Sequence, residues 1–478
     1  MLKKIICLLF VLVWGAGYYC LAQGQRRNNA AGKSPKESGL FKTNVPEHDY
    51  DLILGRPTNS SVTVSIMPSR DMSGYVVYGQ NIKDLTFKSP TISFTANQTT
   101  FFDLQGLKGN ARYYYKFIYT KEGVEKLSAS DLHNFQTART AGTQFSFDIQ
   151  ADSHLDENTG TDVYTQTLNN IARDSTDFLI DLGDTWMTDK YRNNYKDAYK
   201  QYTAQRYYFG IPGISTPVFL TLGNHDGESG QQLHRPEPDN MAKWSTQVRR
   251  SFYPNPYPNG FYSGNSFTEG GREFIENYYS WQWGDALFIV LDPFRFTSNN
   301  RSPWFRTLGS DQYQWLKRTL EASKAKFKFI FIHNLVGGVD KDGVARGGAE
   351  AAGLYEWGGS DTTGQKTFNN NRPDWAMPIH DLLVAHKVNV VFHGHDHFFA
   401  KQDKDGIVYQ LVPQPGAVRY GNTISATQYG YVTGKIMNAP GYLHVSIDGD
   451  YVQIEYIQTS VDLNHQNKQV LYSYQLKP

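Results

Sequence analysis

Seven side chains with nitrogen or oxygen donors fall into short clusters along the chain: Asp152 with His154, then Asp184, Asn224, His333, and His395 with His397. Imidazole, carboxylate and carboxamide oxygen are the ligand types that hold Mn, Fe, Zn and related divalent ions, and none of them needs a thiolate. One carboxylate can bridge two such ions ~3.5–4 Å apart, the separation typical of two-metal hydrolytic sites. Taken singly the pieces say little. His154 alone reads as a hydrogen-bonding histidine, Asp152 or Asp184 as a helix cap, and His333 as a satisfied core histidine. All five clusters in this order, each after an apolar run, argue against coincidence.

Those runs are the elements that must position the clusters. Phe145–Gln150 reads as a strand leading into Asp152-Ser153-His154. Phe178–Leu182 ends in Gly183-Asp184, and Val218–Leu222 in Gly223-Asn224-His225-Asp226. Ala286–Leu291 is a further strand, Phe327–Ile332 ends at His333, and Val388–Phe392 runs into His393-Gly394-His395-Asp396-His397. Helical text lies between them over residues 162–174, 311–325 and 377–386. Alternation of this kind predicts an α/β domain with a largely buried sheet. Sites in such sheets form in loops at the carboxyl ends of the strands, where the clusters stand. Glycines beside Asp184, Asn224 and His395 permit tight turns and close backbone approach.

Upstream the pattern differs. Ser61–Met67, Gly74–Gly79, Thr99–Leu104 and Tyr113–Tyr119 alternate or are aromatic and β-branched, with Asn, Gly and Pro between them. This spacing predicts an all-β sandwich over residues 49–138. The tail from Ile407 to Leu476 returns to strands with hairpin turns at Asp403–Gly406 and Asp448–Asp450, and is expected to complete the sheets of the α/β domain.

Composition bounds the rest. A chain of 478 residues, 40% hydrophobic and 19% charged, supports two globular domains. A net charge of +1 gives no electrostatic reason to expect nucleic acid or an anionic membrane as partner. The start is basic (Lys3-Lys4), then apolar from Ile5 to Val13, with Cys20-Leu21-Ala22 as a small-x-small cleavage site. That is the layout of a signal peptide over residues 1–22, with an uncleaved anchor as the alternative. Residues 23–48 read as a flexible leader. Both cysteines, Cys7 and Cys20, lie in the signal segment. The mature chain would then hold any metal by nitrogen and oxygen alone, without disulfides, as suits a bacterial secreted or periplasmic protein.

The five blocks resemble the metallophosphoesterase superfamily, the calcineurin-like phosphoesterases, over roughly residues 143–460. The stretch Leu104–Leu107 before Ala111–Tyr115 resembles the fibronectin-III-like N-terminal domain of purple acid phosphatases. The resemblance implies a four-layer sandwich of two mixed β-sheets flanked by helices over residues 143–478, preceded by the β-sandwich. It implies two metal ions, divalent or mixed-valence, of Fe, Mn or Zn. One would take Asp152, His154, Asp184 and His397, and the other Asp184, Asn224, His333 and His395, with Asp184 as the bridge. It further implies hydrolysis of a small-molecule phosphate monoester by metal-activated hydroxide. Asn224 and His225 would meet the substrate, His225 would serve the leaving oxygen, and Asp226 would orient its imidazole.

One departure bears on subtype. Purple acid phosphatases carry a tyrosine three residues after the bridging aspartate and lack the histidine of the first block; here those positions are Met187 and His154. The expected site is therefore non-purple. Phosphodiester hydrolysis, on nucleotide or phospholipid-derived diesters, stays open because both activities use the same blocks. A reading of another class is an inert surface binding protein, which predicts no stoichiometric metal pair. Arg295 is a further candidate for phosphate contact, His393 for structural or supporting work beside the last block, and Gly337–Gly359, with Arg346, for a loop at the rim. The stretch 227–279 is expected to shape the mouth of the site.

Overall fold

Strand Arg112–Lys121 shows how the first region is built: Tyr113, Tyr115, Phe117 and Tyr119 are buried while their neighbours face outward. This period of two is what a strand with one covered face requires. In the computed structural model, which describes residues 41–478 apart from 237, 270–272, 299, 301, 338–344 and 419, this strand pairs antiparallel with Met72–Gly79. Opposite lies a three-stranded sheet of Tyr50–Gly55, Ser61–Pro68 and Thr100–Gln105. Leu54, Val64, Ile66, Val76, Leu104 and Tyr115 fill the space between. The expected signal peptide and most of the leader lie outside the described residues.

The second region has two mixed sheets. The first runs Val218–Leu220, Leu179–Asp181, Phe145–Gln150, Gly441–Asp448, Tyr451–Gln458, Val470–Leu476; its first three strands are parallel and the rest antiparallel. The second is centred on parallel strands Ala286–Val290, Phe327–Ile332, Val390–His393 and Ile407–Leu411. Tail strands thus complete both sheets. The sheets face one another across Phe147, Ile180, Phe219, Phe288, Phe331, Phe392 and Val445. Burial on both faces explains why these strands read as unbroken apolar runs.

Helices cover the outer faces, giving four layers. Ser310–Ala322 and Ile379–Ala385 pack through Leu316, Leu320, Leu382 and Leu383 onto the second sheet. Thr161–Asp174 and Tyr199–Gly213 cover the first through Ile171 and Phe209. Two helices are shorter than the sequence suggests. Ser323 is already extended, ending one at Ala322, and Pro378 immediately precedes the first residue of the other. No described helix is long and apolar enough to cross a membrane.

The β-sandwich joins the catalytic layers through helix Tyr199–Gly213. Its Phe209 packs with Ile53, and its fully buried Arg206 donates to the carbonyls of Phe252, Ser65 and Asp51 and to Ser65 Oγ.

Candidate metal centre

Five parallel strands, Phe145–Gln150, Leu179–Asp181, Val218–Leu220, Phe327–Ile332 and Val390–His393, deliver the polar clusters from their carboxyl ends. The turns that do so are tight: Asp152, His154, Asp184, His395 and His397 have φ of 62°, 56°, 53°, 79° and 63°. Residues other than glycine rarely adopt this left-handed region, at a cost of order 1–3 kcal/mol each, and such residues gather at functional sites. Two glycines let the turns meet. A Cβ on Gly223 would lie 2.0 Å from Asp184 N, and one on Gly394 would lie 2.8 Å from Asp152 Oδ2.

The result is a convergence of donor atoms. Asp152, His154, Asp184 and His397 each bring a ligand atom within 4.8 Å of one another, and Asp184, His333 and His395 form a second such group. Asp184 belongs to both. Its Oδ2 lies 3.6 Å from His154 Nε2 and 3.3 Å from His333 Nε2, while its Oδ1 accepts the His225 N–H at 2.8 Å. A single oxygen of this carboxylate therefore faces both groups. Asn224 Oδ1 stands 3.2 Å from His333 Nε2 and adds a carboxamide oxygen to the second.

The donor set fits metal ions. Asp152 Oδ1, His154 Nε2 and both ring nitrogens of His395 are buried with no hydrogen-bond partner among the described residues. Buried polar atoms normally find partners, so this clustering points to ligands. His333 donates Nδ1–H to Leu182 O at 2.8 Å, which leaves Nε2 for the site. Burial, then the charges of His333 and Arg346, hold His395 well below the ordinary imidazole range, in the form that can ligate. Burial alone would raise Asp184, but His333, His225 and His154 outweigh it and keep the carboxyl well below its usual range. A third grouping of Asp148, Asp174 and His444 is already satisfied: Asp148 takes His444 and Thr176, and Asp174 takes Tyr442 and Lys468.

One expected contact is corrected. Asp226 does not orient His225; it is fully buried and accepts the N–H groups of Thr185, Trp186 and Gly223 at 2.9, 2.8 and 2.6 Å, tying the Asp184 turn to the Asn224 turn. The carboxylate on His225 is Asp189, whose Oδ1 lies 2.8 Å from Nδ1. Asp189 and Lys190 share the turn that opens at Thr188, and Lys190 pairs with Asp156 at 2.7 Å. Asp156 in turn lies 3.2 Å from His154 Nδ1. The sequence carried a signal for Asp156, an acid two residues past a candidate ligand; for Asp189 it carried none. Met187 and Trp186 are buried, with Trp186 stacked on Tyr202.

Two clefts open beside the centre. One of about 240 Å³ is lined by Asn224, His225, Gln232, Met241, Phe294 and Arg306. Residues of the stretch 227–279 therefore contribute to its wall. Arg306, rather than Arg295, lines it: Asp292 fixes the Arg295 backbone, and Gly230 packs against the Arg295 carbonyl. The other cleft, of about 330 Å³, includes Asp396 and His397. Arg346 pairs with Asp396 at 2.8 Å, which fastens the described part of the Gly-rich stretch beside the last block. His393 is buried one strand position before Gly394, and burial holds its pKa down at about 3.

Comparison with known proteins matches this arrangement to a family. Residues 128–399 match the family model described as calcineurin-like phosphoesterase. Comparison with curated proteins gives no match. Among solved structures, PhoD aligns over 94% of this chain and 92% of its own, at 14% identity and a TM-score of 0.63. A purple acid phosphatase, PPD1 from seeds of yellow lupin (Lupinus luteus), aligns over 89% of this chain and 74% of its own, at 13% identity and a TM-score of 0.58. At such identities the structures attest a shared fold. With the family match spanning more than half of its length, the chain belongs to the calcineurin-like phosphoesterases.

Proposed function

We propose that the protein is an exported hydrolase of small phosphate esters, monoesters first, using two metal ions. Asp152, His154, Asp184 and His397 would hold one ion, and Asp184, Asn224, His333 and His395 the other. The observation that carries the reading is the set of unpartnered buried donors, Asp152 Oδ1, His154 Nε2 and the His395 ring, around a carboxylate common to both groups. When bound, the ions supply Lewis acidity toward phosphoryl oxygens and a lowered pKa for water.

The chain's own residues do the rest. Asp189 accepts from His225 Nδ1 and turns Nε2 toward the centre, 4.0 Å from Asp184 Oδ2. From there His225 donates its Nε2 proton to the departing ester oxygen. Asp226 keeps the Asp184 and Asn224 turns in register through three backbone N–H groups. Export is supported by the basic, then apolar, N-terminal text of residues 1–22. The kinship in fold with a purple acid phosphatase supports the monoester reading by analogy.

One observation favours a second reading. Clefts lie both at His225 and at His397, which is room for the two organic groups of a diester. The deciding experiment is hydrolysis of an aryl phosphate monoester against the matching diester by metal-reconstituted protein, with Asp184→Asn as the blank. Faster monoester cleavage, absent in the variant, supports the first reading, and a diester preference the second. Absence of both activities together with absence of stoichiometric metal leaves the inert binding protein.

A further inference from the structure

Five carboxamides, Asn158, Gln414, Asn422, Gln428 and Asn438, line the cleft at His397, with Tyr429 and the aliphatic Val418 and Ile424 beside them and Asp396, paired with Arg346, at its side. Gln414 is only 4% exposed, yet its Nε2 has no hydrogen-bond partner among the described residues. Asn438 Oδ1 is likewise buried and unpartnered, while its Nδ2 is occupied by the Asn422 carbonyl at 2.6 Å. The cleft wall thus holds one idle donor and one idle acceptor. Both are anchored from behind: Gln414 sits between Pro413 and Pro415 and its carbonyl accepts the Gly441 N–H, and the Asn438 carbonyl accepts the Gly421 N–H. Unsatisfied buried amides are costly, and a ligand that pairs both removes the cost.

A hydroxyl group both donates and accepts, so a run of carboxamides matches a run of hydroxyls without any charge. The other cleft also has carboxamides, Asn224, Gln231 and Gln232, and an idle acceptor in Gln232 Oε1, but it has no idle donor among the described residues and sets Met241, Pro293, Phe294 and the cation Arg306 among them. We infer that the cleft at His397 binds the organic group of the ester, and that this group is a neutral polyhydroxylated one, a polyol or sugar. Gln414 donates to one of its hydroxyl oxygens and Asn438 accepts from another. The inference rests on the phosphoester reading above and sharpens it, because His397 belongs both to this cleft and to the metal centre.

Competition against aryl-ester hydrolysis tests it, using whichever aryl ester, mono or di, the metal-reconstituted protein turns over. The probes are sorbitol 6-phosphate and n-hexyl phosphate, which share a six-carbon chain and differ in hydroxyls. Sorbitol 6-phosphate is expected to inhibit at a concentration about tenfold lower, one or two hydrogen bonds' worth. Gln414→Leu and Asn438→Ala are each expected to bring the ratio down to about threefold, the share of the hydrogen bond that is left. Asn438 is only half-buried, so its variant keeps the test open should Gln414→Leu fail to fold by circular dichroism. Equal inhibition by the two probes in the wild type overturns the inference, as does a tenfold ratio that survives in the folded variants. Turnover of neither aryl ester overturns the phosphoester reading itself, and the subsite with it; turnover without hydroxyl preference overturns the subsite alone.

Discussion

Asp156 Oδ2 lies between two donors, 3.2 Å from His154 Nδ1 and 2.7 Å from Lys190 Nζ. Burial would raise this carboxyl, but the His154 hydrogen bond and the Lys190 ammonium hold it well below its usual range. An ionised acceptor there fixes the His154 tautomer, with Nδ1–H donating and Nε2 free for the site. Asp156→Asn is therefore expected to weaken metal binding roughly 10–100-fold while leaving the fold intact. Chelator competition with a far-ultraviolet spectrum as control checks it, and unchanged affinity would remove Asp156 from the site's support.

Gly223 tolerates no side chain. The added Cβ of Gly223→Ala would meet Asp184 N at 2.0 Å and Asp184 Oδ1 at 2.3 Å, so the shared carboxylate must move. Displacement of a reacting group by about an ångström costs about 100-fold in rate. We expect kcat/KM to fall by at least that order, with metal content falling alongside.

Asp189 and His225 should reveal themselves through the leaving group. If His225 protonates the departing oxygen, Asp189→Asn slows an alkyl ester by roughly tenfold in kcat, a partial share of what acid catalysis contributes. A 4-nitrophenyl ester, whose oxygen leaves without a proton, should be slowed far less. Equal slowing of both esters would point to a merely structural contact.

Arg206 ties the β-sandwich to the catalytic layers. Arg206→Ala leaves the carbonyls of Phe252, Ser65 and Asp51 buried without this donor. A loss of roughly 3 kcal/mol follows from such unmet acceptors. Urea unfolding followed by tryptophan fluorescence measures it.

The same junction has a pH dependence. Asp51 hydrogen-bonds His48 and raises its pKa from 6.5 to about 9, with burial opposing. A raised histidine stabilises the fold fully below pH 6.5, and the contribution disappears as the pH climbs through about 9. The side chain is 28% exposed, so screening leaves an effect on the order of 1 kcal/mol. His48→Gln should lose stability relative to the wild type at about pH 6 and match it near pH 9.5, read from urea midpoints.

Much of this molecule is legible before folding. Strands such as Phe327–Ile332 are covered on both faces, so they stand out as apolar runs, and the polar clusters follow them directly. Alternation in Arg112–Lys121 likewise announces a sheet with one covered face. What escapes reading depends on turns. Asp189 meets His225 across 36 positions because an irregular turn brings it there. Asp226, adjacent to His225 in sequence, points the opposite way, into three backbone N–H groups. Arg295 and Arg306 look equivalent as text, and only the fold separates them: Asp292 and Gly230 hold the Arg295 backbone, while Arg306 lines the cleft. Two-residue strands such as Ser263–Gly264 and Ser128–Ala129 are too short to leave a pattern.

The left-handed backbone at Asp152, His154, Asp184, His395 and His397 has a consequence for anyone breeding a hardier version of this protein. By backbone preference alone these five positions invite glycine or asparagine, and relaxing each is worth about 1 kcal/mol of heat resistance. Every such exchange also deletes a side chain of the centre. A screen that scores melting temperature alone will climb by dismantling the site, so thermal selection has to be run with metal loading or turnover as a second gate.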